Sequence, residues 1–167
     1  MDKDTADTHC STHSNSTKNY PDQLARIVRF FEGLDEEQKR ENLILYAESA
    51  RKIVPREGEE FDMQDVRKDE ECADTVGVFL KVHPDRRVSF RMTLGPHVQT
   101  LTKAMASILC KGLEGAKPEE IVDLDSDFIP KIVGGYLVRQ RSQTTYYVLS
   151  RMKGICNAWL RKQRASQ

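Results

Sequence analysis

Polar and apolar positions change period three times along the chain, and each change predicts a new kind of element. From Pro21-Asp22 onward, Leu24, Ile27, Val28 and Phe31 recur at the three-and-four spacing of a helix face, and Gly33 ends the run. Asp35 then reads as the N-cap of a second helix with a glutamate-rich first turn. Leu43, Tyr46, Ala47 and Ala50 form its apolar stripe, and Arg51 and Lys52 fall in its last turn, where cations suit the helix dipole. Pro55 and Gly58 break this pattern ahead of a long acidic stretch.

The period next drops to two. Val76, Val78, Leu80 and Val82 alternate along one run, and Val88, Phe90, Met92 and Leu94 along another. Ser89, Arg91 and Thr93 fill the opposite face of the second run, as a half-buried strand requires, and His83 to Arg87 makes the turn between them. A shorter strand from Met63 to Arg67 is expected alongside, although its alternation is weak. Beyond Gly95-Pro96 helical spacing returns in Val98, Leu101, Met105 and Ile108, until Gly112 and Gly115. Pro118 opens a short helix through Ile121, Val122 and Leu124, and another covers Asp127 to Val133 before Gly134-Gly135. A final helix from about Ser142 carries Leu149, Met152, Cys156 and Trp159 on one face. This order predicts an α+β fold: a small three-stranded antiparallel sheet covered by helices, two before the strands and about four after.

The chain has 167 residues, with 26 Lys or Arg against 26 Asp or Glu. That length suits one core without disulfide or metal staples, and we expect a single domain over 21–167 behind a polar tail, 1–20. The balanced charge argues against a general nucleic-acid binder. No apolar run approaches the ~18 residues of a membrane-spanning helix. The first twenty residues are rich in Ser, Thr, Asp and Asn, a disordered composition with neither the apolar core of a secretory signal nor the Arg-rich bias of a transit peptide. The chain therefore reads as cytoplasmic. His9, Cys10 and His13 offer too few ligands, on too loose a frame, to read as a metal site. Charge is nevertheless segregated. Glu57 to Glu71 holds eight acids against Arg67 and Lys68, whereas the segment from Arg139 onward holds seven bases and no acid. Such segregation serves either two complementary surfaces within the fold or the steering of a charged partner.

Four cysteines, Cys10, Cys72, Cys110 and Cys156, lie far apart with no paired spacing, so neither a zinc module nor a disulfide framework is indicated. Cys110 and Cys156 fall on apolar helix stripes and read as core residues. Cys72 sits in the polar segment Asp69-Glu70-Glu71-Cys72-Ala73-Asp74, where packing gives no reason for sulfur. A loop thiol is accessible for persulfide or disulfide exchange, which needs in-line approach. Its carboxylate neighbours raise its pKa by charge repulsion, so it needs a cation from elsewhere in the fold, such as Arg141, or from a partner.

A lone cysteine just before the first hairpin strand is accompanied by Lys111-Gly112-Leu113 through Lys117-Pro118-Glu119-Glu120-Ile121-Val122, and by Leu137…Arg141-Ser142 ahead of the last helix. In these features, from about Pro21 to Trp159, the chain resembles the SufE-type sulfur-acceptor family. The resemblance implies a cysteine desulfurase, a pyridoxal-phosphate enzyme, as partner, with an Fe–S scaffold as a further candidate. It implies that persulfide sulfur is taken onto Cys72 and passed on for iron–sulfur cluster assembly, with Arg141 in support. It implies no cofactor or metal in this chain, no nucleic-acid partner, and a monomer or homodimer.

The chain departs from the family pattern at several positions. Glu71-Cys72-Ala73-Asp74 stands where the family has Gly-Cys followed by a polar residue and Ser; the lost glycine removes backbone freedom beside the thiol. Pro96-His97-Val98 replaces an acidic turn, Arg139-Gln140 replaces Pro-Ser, and Thr144 replaces a glycine. Two other readings follow from the residues. One is an interaction module that binds and regulates a desulfurase or scaffold without transferring sulfur. The other is an autonomous thiol enzyme with His83 or His97 as base.

Overall fold

A computed structural model describes residues 20–68, 75–135 and 142–166. Cys10, Cys72 and Arg141, the candidate ligands His9 and His13, and the expected polar tail through residue 19 all lie outside the described residues. The elements are α1 (Asp22–Glu32), α2 (Glu36–Glu48), a 3₁₀ turn (Ser49–Lys52), β1 (Met63–Lys68), β2 (Thr75–Val82), β3 (Val88–Leu94), α3 (Thr100–Gly112), α4 (Pro118–Val122), α5 (Phe128–Val133) and α6 (Gln143–Ala165). The three strands form one antiparallel sheet in the order β1-β2-β3, giving the expected α+β architecture.

Alternation in β2 and β3 becomes one continuous apolar face because the register sets Val78 opposite Met92 and Leu80 opposite Phe90, and directly opposed side chains share a face. Val76, Val78, Leu80, Val88, Phe90 and Met92 have no exposed surface. Against them pack Met105, Ile108 and Leu109 of α3 and Val148, Leu149 and Met152 of α6, while Leu24, Ile27, Val28 and Phe31 of α1 complete the same core. Gly112 lets α3 approach α1, since a Cβ there would lie 3.0 Å from Leu24 Cδ1. The outer edge of β3 is closed by the chain itself: Met92 N–H donates to Ile53 O at 2.8 Å, and Val88 N–H to Ala116 O at 2.9 Å. Strand edges covered in this way resist pairing with foreign chains.

Two local expectations shift, and a third, the weakly patterned strand, is met and explained. First, α2 stops at Glu48, so Ala50, Arg51 and Lys52 belong to the 3₁₀ turn; the Ser49 hydroxyl donates to Tyr46 O at 2.7 Å, satisfying a carbonyl at the helix end. Of its expected stripe only Leu43 is fully buried. Second, α3 begins at Thr100, with Val98 buried in the turn before it. Third, the weak pattern of β1 has a structural cause. Its register sets Asp65 opposite Val78, on the core face, while Val66 on the other face is 54% exposed. A carboxylate faces inward and a valine outward, the reverse of ordinary alternation.

Candidate functional site

Lys68 ends β1 and Thr75 begins β2, and the two stand directly opposite each other in the register. Residues 69–74, with Cys72 among them, therefore connect neighbouring strand ends at one end of the sheet. Gly95 N–H donates to Thr75 O at 3.0 Å, which brings Gly95-Pro96-His97 to the same end.

The direction of α6 fixes the anchor of the second predicted residue. Arg151 contacts Asp65 and Val76, and one turn earlier Tyr147 lies beneath the Arg67 guanidinium, 5.9 Å from its ring centroid. At the other end of the helix, Trp159, Leu160, Gln163 and Arg164 line a groove with Asp62, Val82 and His83. Thus α6 starts at the hairpin end that leads into 69–74 and finishes beside the β2–β3 turn. Ser142, buried and adjacent in sequence to Arg141, belongs to that starting end. The anchors of Cys72 and Arg141 lie toward one end of the molecule, though both residues are outside the described set.

His83 belongs to the opposite end, separated from Thr75 by the length of β2, ~23 Å at strand rise. Its Nε2 lies 2.6 Å from Ser89 Oγ, and that hydroxyl donates to Glu114 Oε1 at 2.7 Å, which makes the histidine the donor of the first bond. His83 is thus engaged in a polar chain remote from the strand ends that flank residues 69–74. His97 is exposed and shares the hairpin end with Thr75.

Cys110 is 4% exposed and Cys156 is fully buried, as their stripes predict. Burial pushes both thiols up to about 12; at Cys110 the Arg91 charge opposes this and Glu114 reinforces it, and at Cys156 Glu119 reinforces it. Neither is a thiolate at neutral pH; Cys156 is fully buried, and Cys110 shows only a sliver of surface, at the floor of a groove it lines with Ile53, Arg91 and Lys111.

Arg151 is the residue that sequence reasoning missed. It is one of the seven C-terminal bases, yet its side chain is only 1% exposed. Its Nε donates to Asp65 Oδ2 at 3.1 Å, and its Nη2 donates to Asp65 O and to Val76 O at 2.8 Å each. The guanidinium also lies 5.9 Å from the centroid of the Tyr147 ring, which it shares with Arg67, while Nη1 is buried with no hydrogen-bond partner. One side chain thereby fixes α6 to both strands that lead into 69–74. A signal was present in the sequence: Arg151 follows Val148 by three residues and precedes Ile155 by four, on a helix face that goes inside. An arginine there calls for a carboxylate partner. Asp65 belongs to the acidic stretch and Arg151 to the basic one, so part of the charge segregation is internal pairing.

Elsewhere in the acidic stretch Glu59 accepts from Arg56 N–H at 3.0 Å and lies 3.3 Å from Arg91 Nε. That backbone bond, aided by the charge of Arg91, holds its carboxyl below the ordinary value against the opposing effect of burial. Among the described residues no group of three or more His, Cys, Asp or Glu is placed to hold a metal ion, and no helix is long and apolar enough to cross a membrane.

Compared with protein families, residues 25–156 match the one described as "SufE: Fe-S metabolism associated domain". No curated protein matches the sequence. Among solved structures, the solution structure of a hypothetical protein from Thermus thermophilus is similar with a TM-score of 0.68 and 23% identity, over 85% of this chain and 98% of that one. At that identity the likeness concerns the fold.

Proposed function

The chain belongs to the SufE family, whose domain is associated with Fe–S metabolism, and from that premise we propose that it is a sulfur acceptor serving a cysteine desulfurase. Cys72 takes the sulfur. Its thiolate attacks the terminal sulfur of a persulfide on the partner; a new S–S bond forms on Cys72, the partner's S–S bond breaks, and the partner's thiolate leaves. The terminal sulfur keeps its proton, so Cys72 ends as a persulfide, ready for a scaffold of iron–sulfur cluster assembly. The pyridoxal phosphate that generates the sulfur belongs to the partner.

The observation that carries this reading is the register opposing Lys68 and Thr75. It makes the Cys72 segment a connection between adjacent strand ends, whereas Cys110 and Cys156 are buried helix residues. Glu70, Glu71 and Asp74 disfavour a thiolate in the free protein, which suits an acceptor activated on docking. Arg141 supplies positive charge from the segment just before α6. The protein acts in the cytoplasm as one domain, 21–167, behind its polar tail, as a monomer or homodimer.

The test is to mix the protein with a desulfurase and cysteine and to read sulfur on the Cys72 peptide by mass spectrometry. An added sulfur is expected there; an active partner that leaves that peptide unmodified overturns the proposal. The departures Glu71 and Thr144 favour a second reading, a module that docks and regulates without transfer. Cys72→Ser separates the two, because a module still stimulates its partner and an acceptor does not.

A further inference from the structure

On the far side of the sheet from β1, α2, the 3₁₀ turn and α3 border an open groove of about 500 Å³. Leu45, Tyr46 and Ile53 supply its apolar wall, and no carboxylate lines it. The apolar residues of α2 do not all turn to the core: Leu43 is buried, but Leu45 on the groove lip is 61% exposed. Val54, directly after Ile53, is 43% exposed. Leu45 and Val54 thus leave apolar side chain exposed to water at and beside the groove.

The charged groups at this groove are Lys52 and Lys111, both exposed. Lys111 Nζ lies 5.6 Å from the centroid of the Tyr46 ring, and neither lysine has an acidic partner among the described residues. A second groove, about 310 Å³, continues from the first through Ile53 and Lys111 toward Gln23 and Arg91, so the surface is elongated. Its one carboxylate, Glu114, accepts from the Ser89 hydroxyl. Ile53 is fastened by its carbonyl to Met92 of β3, at the opposite edge of the sheet from β1 and α6.

We propose that the first groove docks an acidic segment of a partner protein, whose apolar side chain seats against Leu45, Tyr46 and Ile53 while its carboxylates meet Lys52 and Lys111. Two lysines without an opposing acid define the charge of the occupant. Its size follows from the shape of the groove: a small molecule is normally enclosed over ~70–90% of its surface, which a groove with so exposed a lip does not provide. The inference is independent of sulfur transfer, because it uses neither Cys72 nor the hairpin end.

The experiment titrates the full chain into a short fluorescein-labelled peptide of glutamates and leucines, followed by fluorescence polarisation, with a lysine-for-glutamate peptide as control. The acidic peptide binds, more weakly as salt is raised, and the basic one does not. Lys52→Glu combined with Lys111→Glu weakens binding about tenfold, and Leu45→Ser about fivefold. All three side chains are exposed, and far-ultraviolet circular dichroism matching the unaltered chain verifies that the variants fold. Failure of the acidic peptide to bind, equal binding of both peptides, or undiminished binding to the double variant overturns the proposal. Binding of dodecanoate in place of any peptide overturns it too and assigns the groove to a small anionic amphiphile.

Discussion

At the scale of single residues, Arg151 shows how a charge becomes structural. Its guanidinium is removed from water, so each bond it makes to Asp65 and Val76 offsets desolvation. Replacing it with methionine keeps the apolar stem but leaves the Val76 and Asp65 carbonyls without these donors. Asp65 retains Arg67 at 3.1 Å and is 28% exposed, which limits the loss. Arg151→Met is therefore expected to cost about 2–3 kcal/mol, read as a lower midpoint in urea unfolding. A loss under about 0.5 kcal/mol, the range of an ordinary surface substitution, would show that the guanidinium does not fasten α6 to the hairpin.

At the scale of elements, the strongest local signals are caps and periodicity, and α2 displays both their reach and their limit. The Asp35 carboxylate accepts from Gln38 N–H at 2.9 Å, and the Gln38 side chain accepts from Asp35 N–H at 3.1 Å, a reciprocal capping box. Asp35→Ala should lower stability by about 1 kcal/mol, and hydrogen exchange should rise first in the opening turn of α2. Unchanged protection there would contradict the cap. The start of this helix was legible because capping is a contact between residues three apart. Its end and its exposed apolar side were not, because they depend on the 3₁₀ turn and on α3. The inverted face of β1 was hidden for the same reason: Asp65 is intelligible only beside Arg151, in an element 86 residues away.

At the scale of the whole molecule, the sealed thiols couple folding to alkaline pH. Each cysteine moves from an ordinary value of 9.0 to about 12 on folding. Below the ordinary value both states hold the proton and the effect on stability is constant. Above it the unfolded chain releases protons that the folded chain retains, so stability falls as pH rises. Between about pH 8 and about pH 10.5 the two thiols together should cost roughly 2–4 kcal/mol. Urea midpoints of a Cys110→Ala, Cys156→Ala double variant should decline less over that range than those of the unaltered chain; an identical decline would remove the thiols as its cause.

Order of elements, the hydrophobic stripes, the hairpin and the burial of Cys110 and Cys156 were all written in the linear chain, because periodicity reports directly which side of an element avoids water. Family membership was legible too, in the residues around the hairpin and in the run from Lys111 to Val122. Folding in three dimensions decided the rest. It buried one arginine of a basic stretch, gathered the anchors of Cys72 and Arg141 toward one end, and left Leu45 beside two lysines. The burial of Arg151 against Asp65 and the meeting of Leu45 with Lys111 are relations between side chains distant in sequence, and burial and charge pairing take their value from neighbours that local pattern does not identify.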